Sequence, residues 1–482
     1  MAVNVPYFGA MFRAEKALVS EVFKVVFSPQ LAEIRFGCGL SPAVAPPNDL
    51  QVMLDGLTAH DDMALAFPIE RYENFRAWIA RAKEARRDIT RSKRDKQYVD
   101  AFRKLKQEQG RVGMGWTVNT LLRSTHSMTP FRERLTAFWT DHFTAYGKNG
   151  ILYTATAPYV EEAIRSHLSG SFADLLIAAS THPLMLHYLD QATSVGPASK
   201  EAEKKKRLQG LNENLAREVM ELHTLGVGGP YTQDDVRELA ELFTGLSTTR
   251  DGGFRFVGDY SEPGPETVLG HSYGGNDEGM EPIRAALTNL AEHPATARHI
   301  ASKLAVHFVS DTPPDDLVAH IEARFLETRG NLLAVYSALL EHPAAWTEER
   351  QNVKPPADFI ASAWRALAVH PERAAELKPG MLRKLLVQPL IAMGQPWQRP
   401  NGPDGWPEQD EAWITPPGVS ARLRWALAAP RELRPDLPDP RDFVDHALGP
   451  FATEKVRFAA TAAESQPEAI GLVLASPAFQ RR

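Results

Sequence analysis

The stretch FRERLTAFWTDHFTAY, residues 131–146, decides the fold class. Leu135, Phe138, Trp139, His142, Phe143 and Tyr146 fall at i, i+3, i+4, i+7, i+8 and i+11. That is the period of one helix face, not the alternation of a strand. Thr129 and Pro130, just ahead, supply an N-cap and a first-turn proline. The same period returns at 157–168, 172–179, 236–243, 283–290, 296–308, 332–340 and 359–368. The chain is therefore expected to be mainly α, an extended multi-helix body. His-Pro pairs at 182–183, 293–294, 342–343 and 370–371 read as helix–helix corners, each proline opening a new helix.

Three segments depart from the period. Residues 194–207 (SVGPASKEAEKKKR) are charged and aperiodic, which predicts an exposed loop. Residues 252–275 alternate at Phe254 and Phe256 and continue past SEPGPE into Thr-Val-Leu-Gly at 267–270, a small β-hairpin insertion. Residues 395–417 (QPWQRPNGPDGWPEQDEAWITPP) cannot be helical throughout and predict an ordered Pro/Trp-rich loop pinned by Trp406 and Trp413. The expected division is an N-terminal extension, 1–28, and one helical domain, 29–480.

Composition bounds the function. At 482 residues and 43% hydrophobic, the chain can bury a substantial core. Lys and Arg total 54 against 60 for Asp and Glu, a formal charge of −6 that argues against a nucleic-acid partner. The basic run at 81–106 reads as a solvated helix face. The single cysteine, Cys38, excludes an intramolecular disulfide and a cysteine-based zinc site. Arg13, Glu15, Lys16, Glu21 and Lys24 interrupt the apolar N-terminus, so no secretory signal is visible. No run of about 18 apolar residues predicts a transmembrane helix. The expected location is the cytoplasm, with a periplasmic or exported protein as the alternative.

The chemistry centres on LNENLAREVMELHTLG, residues 211–226. On a regular helical wheel Leu211, Leu215, Val219 and Leu222 form an apolar stripe. Glu218 falls close to its centre, Asn214 and Glu221 flank it, and His223 falls on the opposite edge. A carboxylate on a core-facing stripe is costly unless paired, hydrogen-bonded or metal-bound. Glu218, Glu221 and Asn214, with His142 or Asp190, are therefore the candidate acid/base or metal centre; the sequence identifies no particular metal or cofactor. The structural counter-reading has Arg217 neutralising the glutamates. The inward Glu-x-x-His of di-iron bundles is missing. His142 on its aromatic face also fits a hydrogen-bonded core residue, and Asp190 a solvated helix end. Thr232 and Asp235 form a capping box that sends Glu238 and Glu241 to solvent. His299, Lys303 and His307, at i, i+4 and i+8, fit an anion site or a snorkelling edge. Walker, Gly-x-Gly-x-x-Gly, Gly-x-Ser-x-Gly and His-Glu-x-x-His signatures are missing.

Several of these segments carry a family resemblance: RFGCGLSP at 35–42, FWTDHF at 138–143, HPLMLHYLDQA at 182–192, LNENLAREVMELHTLGV at 211–227 and YTQDDVRELAELFTG at 231–245. VLG at 268–270, HPATARHIASKLAVHFV at 293–309 and GWP at 405–407 extend it. Over roughly residues 30 to 480 the chain resembles the bacterial family of the domain of unknown function eighteen hundred. The resemblance implies an all-helical fold and no established activity. It also implies export, since many members look exported and are often encoded beside a second exported family; residues 1–28 depart from that habit. Many members show a His-Asp pair before VLG where this chain has Asp259, Tyr260 and Ser261, so no histidine role transfers there.

Two functional expectations follow. One is an enzyme with a buried carboxylate-based centre on the helix at 212–225. The alternative is a non-catalytic, envelope-associated scaffold or assembly factor, in which the same residues form a salt-bridge network and surface loops bind a protein partner. The sequence leaves oligomeric state open.

Overall fold

The structure is a computed structural model that describes residues 26–204, 210–275 and 279–482. The expected extension at 1–28 lies outside these residues up to position 25, as do residues 205–207 of the charged segment. The fold is mainly α, with two small antiparallel two-stranded sheets. Among the described residues no helix is long and apolar enough to cross a membrane.

Eight helices position what matters for function. Helices α1 (Tyr72–Arg91) and α2 (Lys96–His126) form an antiparallel hairpin, and α3 (Pro130–His142) follows directly. The short α4 (Asn214–Glu218) runs on into a π-helix, Val219–Thr224, and α5 is Gln233–Leu242. Then come α6 (Pro294–Phe308), α7 (Pro356–Ala366) and α8 (Pro416–Leu433). Two apolar cores form. One gathers buried side chains between Leu31 and Trp346, the other those of the C-terminal third from Phe359 to Phe479. Helix α2 lies between them: Trp116 belongs to the first core and Val118, two residues on and so on the far face, to the second.

Helix α3 begins with Pro130 as expected, but Thr129 makes no side-chain capping bond. The His-Pro corners form. At His182, His293 and His342, Nδ1 accepts the backbone N–H two residues on, an imidazole N-cap that leaves the proline to start the helix. His370 opens its helix without a side-chain cap.

The β insertion is two hairpins rather than one and begins earlier than residue 252. Strand β1 (Leu246–Thr248) pairs with β2 (Phe254–Phe256), and β3 (Pro265–Val268) with β4 (His271–Gly274). Leu246 is buried without an alternating neighbour pattern, so its strand left no period to read. The charged segment is docked over its described part. Gly196 N–H donates to Tyr260 O at 2.8 Å, Ala198 N–H to Glu262 at 2.9 Å, and residues 200–204 form a helical turn.

Candidate active site

Helix α3 carries charge-bearing residues at both ends, matched at one and unmatched at the other. Near its start Glu133 and Arg134 are buried, and each has a full partner. Arg165 grips Glu133 with two bonds (2.7 and 2.8 Å) and Asp61 with two more (2.6 and 2.9 Å). Arg134 binds Asp358 of α7 together with Gly37 O, and Arg482 binds the same Asp358 oxygen, Oδ2. Burial pushes Asp61 and Asp358 towards the neutral acid, but their arginines outweigh it and hold both carboxyls below the ordinary range.

At the other end stand Asp141 and His142. Asp141 accepts the Trp406 N–H at 2.9 and 3.1 Å. Gly405 permits this approach: its φ is +80°, and a Cβ there would lie 2.6 Å from Asp141 Oδ2. No arginine meets Asp141 among the described residues. Burial, reinforced by the charge of Glu408, raises its carboxyl to about 7. Glu408 itself accepts from His307 of α6, Nδ1 to Oε1, at 2.8 Å. Burial works to raise Glu408, but His307 and Arg482 prevail and keep it ionised. An ionised carboxylate only accepts, so His307 carries its proton on Nδ1 and keeps the Nε2 lone pair. Burial lowers His307 below its usual range, so that lone pair is available at neutral pH. Nε2 is buried and has no partner among the described residues.

Asp141, His307 and Glu408 line one cavity of about 200 Å³ between α3 and the Pro/Trp-rich loop. Thr136 and Thr140 of α3 and Gln395, Trp397 and Trp406 of the loop also line it, and the matched Glu133, Arg134, Arg165 and Asp358 face its other part. Trp413 is buried as expected; Trp406 is only partly so and faces the cavity.

Behind Asp141 lies a histidine layer. His142 Nε2 donates to His223 O at 3.2 Å and His299 Nε2 to Leu222 O at 3.1 Å. The His142 ring centroid lies 5.9 Å from that of His223 and 6.3 Å from that of His299. His142 Nδ1 and both nitrogens of His223 are buried without partners among the described residues. Burial, then the Lys303 charge, drives His223 to about 3 and His299 to about 4, so both rings are neutral. Burial also lowers Lys303, opposed by Asp141, Glu408 and Asp404. Among the described residues no three His, Cys, Asp or Glu side chains are placed to share a metal ion.

The helix at 211–226 is not the regular wheel its sequence suggests. After Glu218 it widens to a π-helix, with Leu225 N–H reaching Met220 O and the Thr224 hydroxyl reaching Val219 O. The wider turn rotates the last residues. His223 turns inward and is 1% exposed, whereas Leu222 of the expected stripe is only partly buried. His223 facing the opposite edge is thus corrected; a π-turn adds a residue that the 3.6 period does not count. Glu221 meets Arg217 at 3.4 Å, and Arg217 also holds Glu213 at 3.0 Å. Glu218, half-buried, makes no hydrogen bond or ion pair among the described residues; burial and the neighbouring Glu221 raise it to about 7. Asn214 is exposed, and Asp190 sits in an exposed left-handed turn paired with Lys148 at 2.7 Å. Asn214 and Asp190 therefore stand apart from the buried groups.

The sequence picked out His142, Glu218 and the His299–Lys303–His307 spacing, but not Asp141 or Glu408. Asp141 sits inside FWTDHF, beside a histidine already singled out. Glu408 sits in the Trp loop that was read as structural.

Comparison with curated proteins and with solved structures finds no match. The family described as Protein of unknown function (DUF1800) matches residues 35–481, from the arginine of the RFGCGLSP element to the penultimate residue. The chain belongs to that family.

Proposed function

We propose that the protein is an enzyme of general acid–base type, working in the cavity under the Pro/Trp-rich loop. The observation that carries this is the pair on one cavity wall: His307, oriented by Glu408, and Asp141, a carboxyl that no arginine meets among the described residues. His307 Nε2 is the base. It takes a proton from water or from a substrate hydroxyl, while Glu408 fixes the tautomer and steadies the imidazolium that forms. Asp141 is the acid, holding its proton up to about pH 7 and able to deliver it to a leaving group on the same wall. Hydrolysis is the reaction such a pair performs most directly. Glu218, a second carboxyl unpaired among the described residues and raised to about 7 by burial and the Glu221 charge, is proposed to add acid capacity. His142 supports the centre from behind through its bond to the His223 carbonyl. Asn214 and Asp190 are given no chemical step.

The test is turnover of a panel of chromogenic esters, amides, glycosides and phosphoesters by the wild-type chain and by the Asp141→Asn and His307→Gln variants. Rates should fall by roughly 10²–10⁴ in each variant. Hydrolysis that both variants sustain at the wild-type rate removes the proposal.

A second reading, a non-catalytic assembly factor with a protein partner, rests on Glu221. Its bond to Arg217, and the buried arginine–carboxylate pairs elsewhere, are what a structural network requires. Wild-type protein inert across the panel, with unchanged melting in both variants, favours it.

A further inference from the structure

The hairpin of α1 and α2 has no part in that site, and its charge runs against that of the chain. Residues 81–111 hold twelve lysines and arginines and five acids, in a protein whose formal charge is −6. All twelve cationic side chains are exposed. Among the described residues only Arg81, with Glu108 at 3.3 Å, and Arg103, with Asp100 at 2.7 Å, are ion-paired. Arg86 and Lys106 lie over the Phe102 ring, which leaves their charge in water. Gln109 bonds Thr154 of the body. Beyond it, no hydrogen bond or ion pair among the described residues ties residues 87–108 to the chain outside the hairpin. Leu105 and Phe102 pack on the first core and Arg86 reaches Gly150, so at 1.5 Å per residue the tip stands on the order of 10 Å clear. It closes through Lys93 and Arg94, both in the left-handed region (φ 54° and 67°). Tyr98, beside the tip, is 37% exposed.

An isolated fold gains nothing from crowding like charges on one arm, because their mutual repulsion opposes folding. We infer that the arm is a binding site for an anionic lipid surface. Lysine and arginine heads on flexible stems meet phosphate-bearing headgroups without a shaped pocket, and an exposed tyrosine suits the headgroup level. The stand-off of about 10 Å exceeds the Debye length of about 8 Å. The net-negative body therefore does not repel a flat surface touched by the tip. A polyanion that wraps the protein would meet that body, which sets nucleic acid second.

The experiment is co-sedimentation of the full chain with vesicles of phosphatidylcholine alone and of phosphatidylcholine mixed with phosphatidylglycerol, beside a titration with duplex DNA. The variant combines Arg87→Glu, Arg91→Glu, Arg94→Glu and Lys96→Glu. A milder pair, Arg91→Gln with Arg94→Gln, guards against misfolding of the tip. The control places the same charge change at exposed positions elsewhere: Arg284→Glu, Arg424→Glu, Arg431→Glu and Lys455→Glu. Expected is binding to the mixed vesicles only, weakened at least about tenfold by the fourfold variant, less by the pair and far less by the control, and reduced by salt. No binding to mixed vesicles, equal loss in variant and control, or DNA bound at lower concentration than the mixed vesicles overturns the inference.

Discussion

The two ends of helix α3 present the same problem, a carboxylate taken out of water, and solve it in opposite ways. At the start Glu133 shares Arg165 with Asp61, and Arg134 reaches Asp358. Every one of these charges is matched, so the groups are inert and the pairs lock α3 to the segments around it. At the finish Asp141 receives one backbone N–H and, among the described residues, no arginine, and the charges acting on it are Glu408, Lys303 and Asp404. A carboxyl without a fixed counter-charge keeps its proton to neutral pH and can exchange it. What separates a structural acid from a chemical one in this protein is therefore the arginine beside it, since both kinds are removed from water.

The contrast breaks most visibly at Arg165. Arg165→Met leaves Glu133 without a cation and Asp61 with Arg132 alone, at 3.2 Å, and should cost about 3–5 kcal/mol in urea unfolding. Asp141→Asn should cost less than about 1 kcal/mol, because asparagine still accepts the Trp406 N–H and no ion pair is lost. Equal losses would mean that the two ends do not differ in kind.

The pH dependence sharpens the comparison. Asp61 is held below its unfolded value, so it stabilises the fold above about pH 4, and that support is lost as pH falls through the folded value. Asp141 is raised, so the folded state binds more protons than the unfolded chain between about pH 4 and 7. Its contribution is full below about 4 and is lost as pH rises through about 7. Melting curves across this range should show wild-type protein losing ground to Asp141→Asn as pH rises, with the two diverging no further above 7. His223 acts on the acid side. It is lowered to about 3, and its support, present above about 6.5, fades as pH falls. In turnover, the loss of rate above about pH 7 should disappear in Asp141→Asn.

The smallest effect is expected on the helix at 211–226. Glu221→Gln breaks a partly exposed i,i+4 pair with Arg217 and should shift stability by about 0.5 kcal/mol or less. A larger loss would make Glu221 part of the matched network rather than a neighbour of Glu218.

Much of this was legible in the residues alone. The 3.6 period at 131–146, the His-Pro corners and the Thr232–Asp235 capping box each follow from side chains a few positions apart, because helix and cap geometry are set locally. The same locality marked Glu218 as a carboxylate in need of a partner. It failed at the π-turn, where one added residue rotated His223 inward, and in the Trp loop, whose order comes from what it packs against.

The sequence by itself determined a mainly α chain, its corners, and which polar side chains sit on apolar faces, since those depend on spacing along one helix. Only the tertiary structure decided which carboxylates meet an arginine. Asp61 and Arg165 are 104 positions apart, Arg134 and Asp358 are 224 apart, and His307 and Glu408 are 101 apart. No local pattern encodes such pairings. They arise when packing brings distant segments together, and in a desolvated interior the presence or absence of one guanidinium then sets whether a carboxyl holds the fold or holds a proton.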